Sequence, residues 1–218
     1  MTKHIIWDLD GTLVDSETEI VQHLYKSIEK AGIKPYQKKA DFKIGPPIDI
    51  VIRNAYNSVS DTQLKQIIQD FRLSYDNCGF KITQAYQGIL KLLQELQGIK
   101  HHIVTNKPSL ATTNLVAKLN WQNKFASISS PYMIGNKYST KQELMNNVLK
   151  EFNIDISCII AIGDSASDAS AAQLNSIYAI GVTWGSGLIE ELEPVCNTIV
   201  STIDELRQTL IKLNYLQL

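Results

Sequence analysis

Two carboxylates, Asp8 and Asp10, stand one residue apart in the stretch HIIWDLDGTLVDS, His4 to Ser16, where an apolar run ends. Like charges that close disfavour each other's ionised form, so the pair needs a cation, a proton or a task. Other polar residues end apolar runs in the same way. HHIVTNKP brings Thr105 and Asn106 to the end of one, and CIIAIGDSASD brings Asp164 to the end of another, with Asp168 four residues on. Lys137 and Lys141 lie in the polar stretch ahead of an amphipathic segment. If the runs are parallel strands, Asp8, Asp10, Thr105, Asp164 and one of the two lysines converge on one sheet edge. Three carboxylates need a hard cation, and Mg²⁺ prefers oxygen ligands while keeping waters and a substrate phosphate in its shell. The lysine, the hydroxyl and backbone N–H groups are donors for phosphate oxygens. The expected chemistry is phosphoryl transfer: Asp8, ionised against the metal, attacks phosphorus, and Asp10 hands a proton to the leaving oxygen.

The elements that must position these residues are legible as alternating strands and helices. Short runs rich in Ile and Val predict strands at Ile5–Asp8, His102–Thr105, Phe125–Ser129, Cys158–Gly163, Tyr178–Val182 and Thr198–Val200. Their nearly continuous hydrophobicity is that of strands covered on both faces. Helical patterns fall between them, at Leu90–Leu96, Ser109–Leu119, Gln142–Phe152 and Ile203–Leu213, with Thr140 and Glu143 as a capping box. The alternation predicts an α/β fold, a doubly wound, Rossmann-like parallel sheet. Ser16 to about Ile82 breaks the pattern. There the periodicity is helical, with capping boxes expected at Ser16/Glu19 and Ser60/Gln63. A helical insertion over 15–82 is therefore expected within a core made of 1–14 and 83–218. It leaves the core just after Asp10, where ligands bind in open α/β sheets.

Composition excludes several classes. The 218 residues carry a net charge of −1 with both signs mixed, so no basic run points to nucleic acid and no acidic tail to disorder. The opening MTKHIIWDLDG is interrupted by charge too soon for a signal peptide or a membrane span. Cys78, Cys158 and Cys196 are far apart and odd in number, which argues against a disulfide framework or zinc site and for a reduced, cytoplasmic setting. His4, His23, His101 and His102 have no partner pattern and are read as structural or surface residues.

DLDGTLVDS, VTNK, a downstream lysine and GDSASD resemble the four motifs of the haloacid dehalogenase superfamily of phosphohydrolases. The helical insertion resembles that superfamily's α-helical cap, and VTNKP with GVTWGSG (Gly181 to Gly187) is most similar to its phosphoglycolate phosphatase-like branch. The resemblance covers essentially the whole chain. It implies that Asp8 is the nucleophile forming an aspartyl-phosphate and that Asp10 is the general acid, then the base for the hydrolytic water. It implies Mg²⁺ held by the side chains of Asp8 and Asp164 and the backbone carbonyl of Asp10. Thr105 and the Asn106 backbone would hold the phosphoryl group, with Asp168 supporting the metal water or the lysine. Relatives often place that lysine in a KP pair, and neither Lys137 nor Lys141 precedes proline. STKQELMNNVLKEF resembles the variant with Lys just ahead of the helix, which favours Lys141. Relatives also commonly have Pro where Gln87 stands.

The expected partner is a small phosphorylated metabolite, the protein being a monomer or homodimer. Phosphoglycolate, a nucleoside monophosphate, pyrophosphate and a sugar phosphate all fit the core motifs, and a phosphomutase of the same superfamily is the alternative activity. A receiver-type signalling domain would be shorter, without the insertion, and would carry its phosphorylated Asp on an interior strand. The rigid turn Gly45-Pro46-Pro47 is the candidate substrate-facing loop of the cap, and Trp184 a residue that either edges the site or packs. Hinges are expected near Val14–Glu17 and Lys81–Tyr86.

Overall fold

A computed structural model describes residues 2–33, 42, 44–134 and 137–216, with the backbone alone at 133, 134, 137 and 138. In chain order the elements are β1 (His4–Trp7), β2 (Val14–Asp15), α1 (Glu17–Lys30), α2 (Ile48–Ala55), α3 (Asp61–Tyr75), β3 (Gln84–Ala85) and α4 (Ile89–Glu95). Then come β4 (Lys100–Val104), α5 (Ser109–Lys118), β5 (Ser127–Ser129), β6 (Met133–Ile134), β7 (Lys137–Tyr138), α6 (Lys141–Glu151) and β8 (Ile159–Gly163). The chain closes with α7 (Ala166–Leu174), β9 (Tyr178–Val182), α8 (Ile189–Leu192), β10 (Thr198–Val200) and α9 (Ile203–Lys212).

Six of the strands form one sheet in the order β10-β9-β8-β1-β4-β5, every pairing parallel. The α/β doubly wound core is thus present. Along β1 the side chains alternate: Ile5 and Trp7 enter one hydrophobic cluster with Leu92, Leu115 and Leu206, and Ile6 enters the other with Leu144, Val148 and Ala172. Helices cover both faces, which is why β1 and β8 read as unbroken apolar runs. Chain order steps from β1 to β4 and β5, then returns to β8 on the other side of β1. The switch point of the sheet therefore lies at β1, beside Asp8 and Asp10.

Strand ends differ from expectation where tertiary pairing decides. β4 begins at Lys100 because His4 pairs with Lys100 and Ile5 with His101. β5 begins only at Ser127, since Phe125 is drawn into a ring contact with Trp121 at 5.8 Å. Between β1 and β4 the described chain is helical, apart from the two-residue ribbon β2–β3 that closes the insertion. Helix α1 packs Ile20, Leu24 and Ile28 inward and lies against α3, which buries Leu64, Ile67 and Phe71. The capping boxes at Ser60/Gln63 and Thr140/Glu143 are formed. The one expected at Ser16/Glu19 is not, because both side chains have tertiary partners. The Ser16 hydroxyl donates to Asp10 Oδ1 at 2.5 Å. Glu19 reaches across the insertion, accepting from the Thr83 N–H at 3.0 Å and its hydroxyl at 2.6 Å.

Candidate active site

Asp8 follows β1 directly, and its N–H donates to the Ile162 carbonyl of β8 at 2.9 Å, which holds the strand exit in register. Its carboxylate is buried. Lys141, the first residue of α6 and itself buried, donates through Nζ to Asp8 Oδ1 at 2.7 Å and to Asp168 Oδ1. Asp168 also accepts from the Ser165 N–H at 3.0 Å and the Ser165 hydroxyl at 2.6 Å, so it both starts α7 and orients the lysine. Asp164, just past β8, accepts from the Ser186 N–H at 2.8 Å and the Thr12 hydroxyl at 3.3 Å.

Space around Asp164 is made by glycines. Gly11 takes φ +80°, and a Cβ there would overlap the Asp164 carboxylate. A Cβ at Gly187 would fall on the Asp164 carbonyl oxygen. The GVTWGSG stretch is thus a loop wrapped onto Asp164, tied down further by Trp184, whose Nε1 donates to the Thr12 carbonyl at 3.1 Å.

Asp8, Asp164 and Asp168 each present an oxygen within 4.8 Å of the others. One ammonium faces three buried carboxylates. Burial, with Asp168 and Asp164 adding to it against Lys141, holds the Asp8 carboxyl well above the ordinary range. Burial and Asp168 push Asp164 up to about 7, against the Ser186 N–H and Lys141. Burial alone would lower Lys141, but Asp168 and Asp8 raise it, so the lysine is firmly charged. A cluster of oxygen donors with surplus negative charge is the donor set of a hard divalent cation, and these residues fit one.

The other anticipated residues lie as follows. Thr105 is buried at the end of β4, its N–H bonded to the Ser129 carbonyl at 3.0 Å, with Asn106 next to it and half-buried. Asp10 is outside the carboxylate trio, its side chain turned to Ser16 and to Lys107. The Lys137 side chain lies outside the described residues. Gly45 is near the Asp164 loop, since a Cβ there would stand 3.8 Å from Ser165 Cβ, and Pro47 starts α2. Histidines 4, 101 and 102 are buried among themselves, Trp7 and Ser127, and His23 meets Ser74.

Sequence reasoning missed Lys107. Its ammonium is 2.9 Å and 3.1 Å from the two carboxylate oxygens of Asp10 and 2.6 Å from the Tyr75 hydroxyl. The signal available was a lysine directly beside Asn106 at a strand's carboxyl end.

Comparison with known proteins agrees with this architecture. The family model described as haloacid dehalogenase-like hydrolase matches residues 5–182. A phosphoglycolate phosphatase of Agrobacterium fabrum is 28% identical over 199 residues, 87% of this chain and 84% of that protein. A 5'-nucleotidase of Pseudomonas aeruginosa is 26% identical over 192 residues, 87% of this chain and 86% of that one. The crystal structure of a predicted phosphatase from Clostridium acetobutylicum superposes with a TM-score of 0.86 at 28% identity, covering 97% of this chain and 99% of that chain.

Proposed function

The chain belongs to the haloacid dehalogenase-like hydrolase family, and from that premise we propose that it is a Mg²⁺-dependent phosphatase of small phosphate monoesters resembling phosphoglycolate. The observation that carries the reading is the buried cluster of Asp8, Lys141, Asp168 and Asp164 at the carboxyl ends of adjacent parallel strands. Phosphatase relatives over most of both chains support it.

In this reading Asp8 attacks phosphorus. The bond from phosphorus to the leaving oxygen breaks as Asp10 gives that oxygen its proton, and the phosphoryl group is left on Asp8. Asp10, now a carboxylate, takes a proton from water. The water oxygen bonds to phosphorus, the bond to Asp8 breaks, and phosphate leaves. Lys141, Thr105 and the Asn106 backbone hold phosphoryl oxygens, and Asp168 holds Lys141. Mg²⁺, held by Asp8, Asp164 and the Asp10 carbonyl, would neutralise charge on the transferring group. Residues 15–82 act as a cap that shields the site, with hinges at Val14–Glu17 and Lys81–Tyr86. The same proposal includes a reduced, cytoplasmic setting, which the three free cysteines support, and a monomer or homodimer. Among the described residues no helix is long and apolar enough to cross a membrane.

The test is phosphate release from phosphoglycolate, nucleoside monophosphates, pyrophosphate and hexose phosphates, each with Mg²⁺ and after metal stripping in chelator. Highest kcat/KM on phosphoglycolate, lost in chelator, is expected. A nucleotide or pyrophosphate at the head of the ranking replaces the substrate class, sugar-phosphate isomerisation without release makes the protein a mutase, and full activity in chelator removes the metal.

A further inference from the structure

Lys107 is a charged side chain with 2% exposure at the junction of the core and the helical insertion. An ammonium has three protons to donate. In this structure they meet both oxygens of Asp10, at 2.9 Å and 3.1 Å, and the Tyr75 hydroxyl at 2.6 Å. No donor is left to bind a substrate. The stem is equally constrained: the Lys107 N–H donates to Thr105 Oγ1 at 3.1 Å, and its carbonyl accepts from the Thr112 hydroxyl at 3.1 Å. Its aromatic surroundings come from the insertion and the return segment. The ammonium lies 4.6 Å from the Tyr75 ring centroid and 5.7 Å from that of Phe80. Tyr75 is itself fixed by stacking on Phe71 at 5.1 Å and by an edge contact with Phe80 at 5.4 Å. Asp10 Oδ1 also accepts from the Ser16 hydroxyl.

We propose that Lys107 is the positioning residue of Asp10, fixing its carboxylate against rotation for the half of the reaction in which Asp10 takes a proton from water. This rests on the role given to Asp10 above. Once Asp10 has passed its proton to the leaving oxygen it is a carboxylate, and a charge-assisted, two-oxygen contact is the strong form of hydrogen bonding for that state. Held so, it faces the incoming water in one orientation, which is worth most in the step where phosphate leaves Asp8. Tyr75 makes the arrangement depend on the insertion, because it takes the third proton of the ammonium and encloses the charge.

The experiment is stopped-flow hydrolysis of p-nitrophenyl phosphate with Mg²⁺ by wild type, Lys107→Met, Lys107→Arg and Asp10→Asn. An aryl leaving group departs without a proton, so Asp8 is still phosphorylated when Asp10 is misplaced. Lys107→Met should keep a burst of about one p-nitrophenolate per site, while kcat falls by about 10–100-fold, a fraction of what a general base contributes. Lys107→Arg, which keeps a cation able to pair with both oxygens, should retain more kcat than Lys107→Met. A kcat unchanged in Lys107→Met, or a burst lost in proportion to kcat, overturns the proposal. Should Lys107→Met not fold, the same criteria apply to Lys107→Gln. Asp10→Asn separates the two readings. If it bursts and stalls while Lys107→Met does not, only the role of Lys107 falls. If it turns over like wild type, the role of Asp10 falls and takes this one with it.

Discussion

Asp8 is buried among like charges with one ammonium for company, and that decides how its replacements behave. Asp8→Asn removes the oxygen proposed to attack phosphorus and one charge from a crowded cluster. Turnover should be abolished, on the scale of the roughly 10⁶-fold loss that removing a nucleophile causes elsewhere. The melting temperature in chelator should not fall, because repulsion is relieved; steady-state rates and a thermal melt check both. Lys141→Ala does the opposite, leaving Asp8 and Asp168 without their cation. A loss of about 10²–10³-fold in kcat is expected, as for a lost oxyanion donor, together with a lower melting temperature. A variant within a few-fold of wild type would detach Lys141 from the chemistry. Asp8, Asp164 and Lys141 were legible because each sits at a strand end or helix start that local pattern announces. Lys107 was not, because its partner Asp10 lies at the end of β1 and its other partner, Tyr75, at the end of α3. The first juxtaposition needs the long-range pairing of β1 with β4, and the second needs the insertion to fold back onto the core.

Among the elements, α1 shows how local grammar yields to tertiary demand. Ser16 and Glu19 have the spacing of a capping box, yet Glu19 instead satisfies the N–H and hydroxyl of buried Thr83. Those two bonds, joined by one from the Ile82 N–H, hold the Glu19 carboxyl below its ordinary value although burial opposes them. Glu19→Ala leaves both Thr83 donors buried without an acceptor. It should cost about 1–3 kcal/mol, measured by denaturant unfolding, whereas Glu19→Gln, which keeps an acceptor, should cost less. No loss in Glu19→Ala would mean the Thr83 donors find water. The long apolar strands were readable from composition, but β2–β3 and β6–β7 are two-residue ribbons too short to carry any period. Gly45, at the start of the Gly45–Pro47 turn, approaches Ser165, and none of the three residues belongs to the carboxylate cluster. A Pro46→Ala, Pro47→Ala variant should therefore reorder kcat/KM across a panel of phosphate esters and leave the Mg²⁺ concentration dependence alone. An unchanged order would remove this loop from the choice of substrate.

Across the whole molecule, the sheet has an acidic end and a histidine end. His101 and His102, near the start of β4, are pushed down to about 4, chiefly by burial, with His4 adding to the effect on His102. Unfolded histidine titrates near 6.5, so the unfolded chain binds protons first, and stability falls as pH drops from about 6.5 to about 4. The raised carboxyls of Asp8 and Asp164 act in the other sense over part of that window, since the folded state binds their protons first. Comparing wild type with His102→Gln isolates the histidine part: the decline in melting temperature between pH 6.5 and 4 should be shallower in the variant, at about 2–4 °C for each kcal/mol removed. Parallel curves would contradict it. The strand order carries a further consequence, for synthesis on the ribosome. β1 is the centre of the sheet, yet it pairs only with strands that begin at Lys100 and Ile159. Helices α1 and α3, by contrast, find each other within the first 75 residues. The nascent chain therefore displays the apolar HIIW segment unpaired until Lys100–Val104 has emerged, and with one edge open until Ile159–Gly163 has, while helices α1 and α3 behind it are already able to pair. The residues that follow β1 into the carboxylate cluster thus leave the tunnel well before the strands that enclose them.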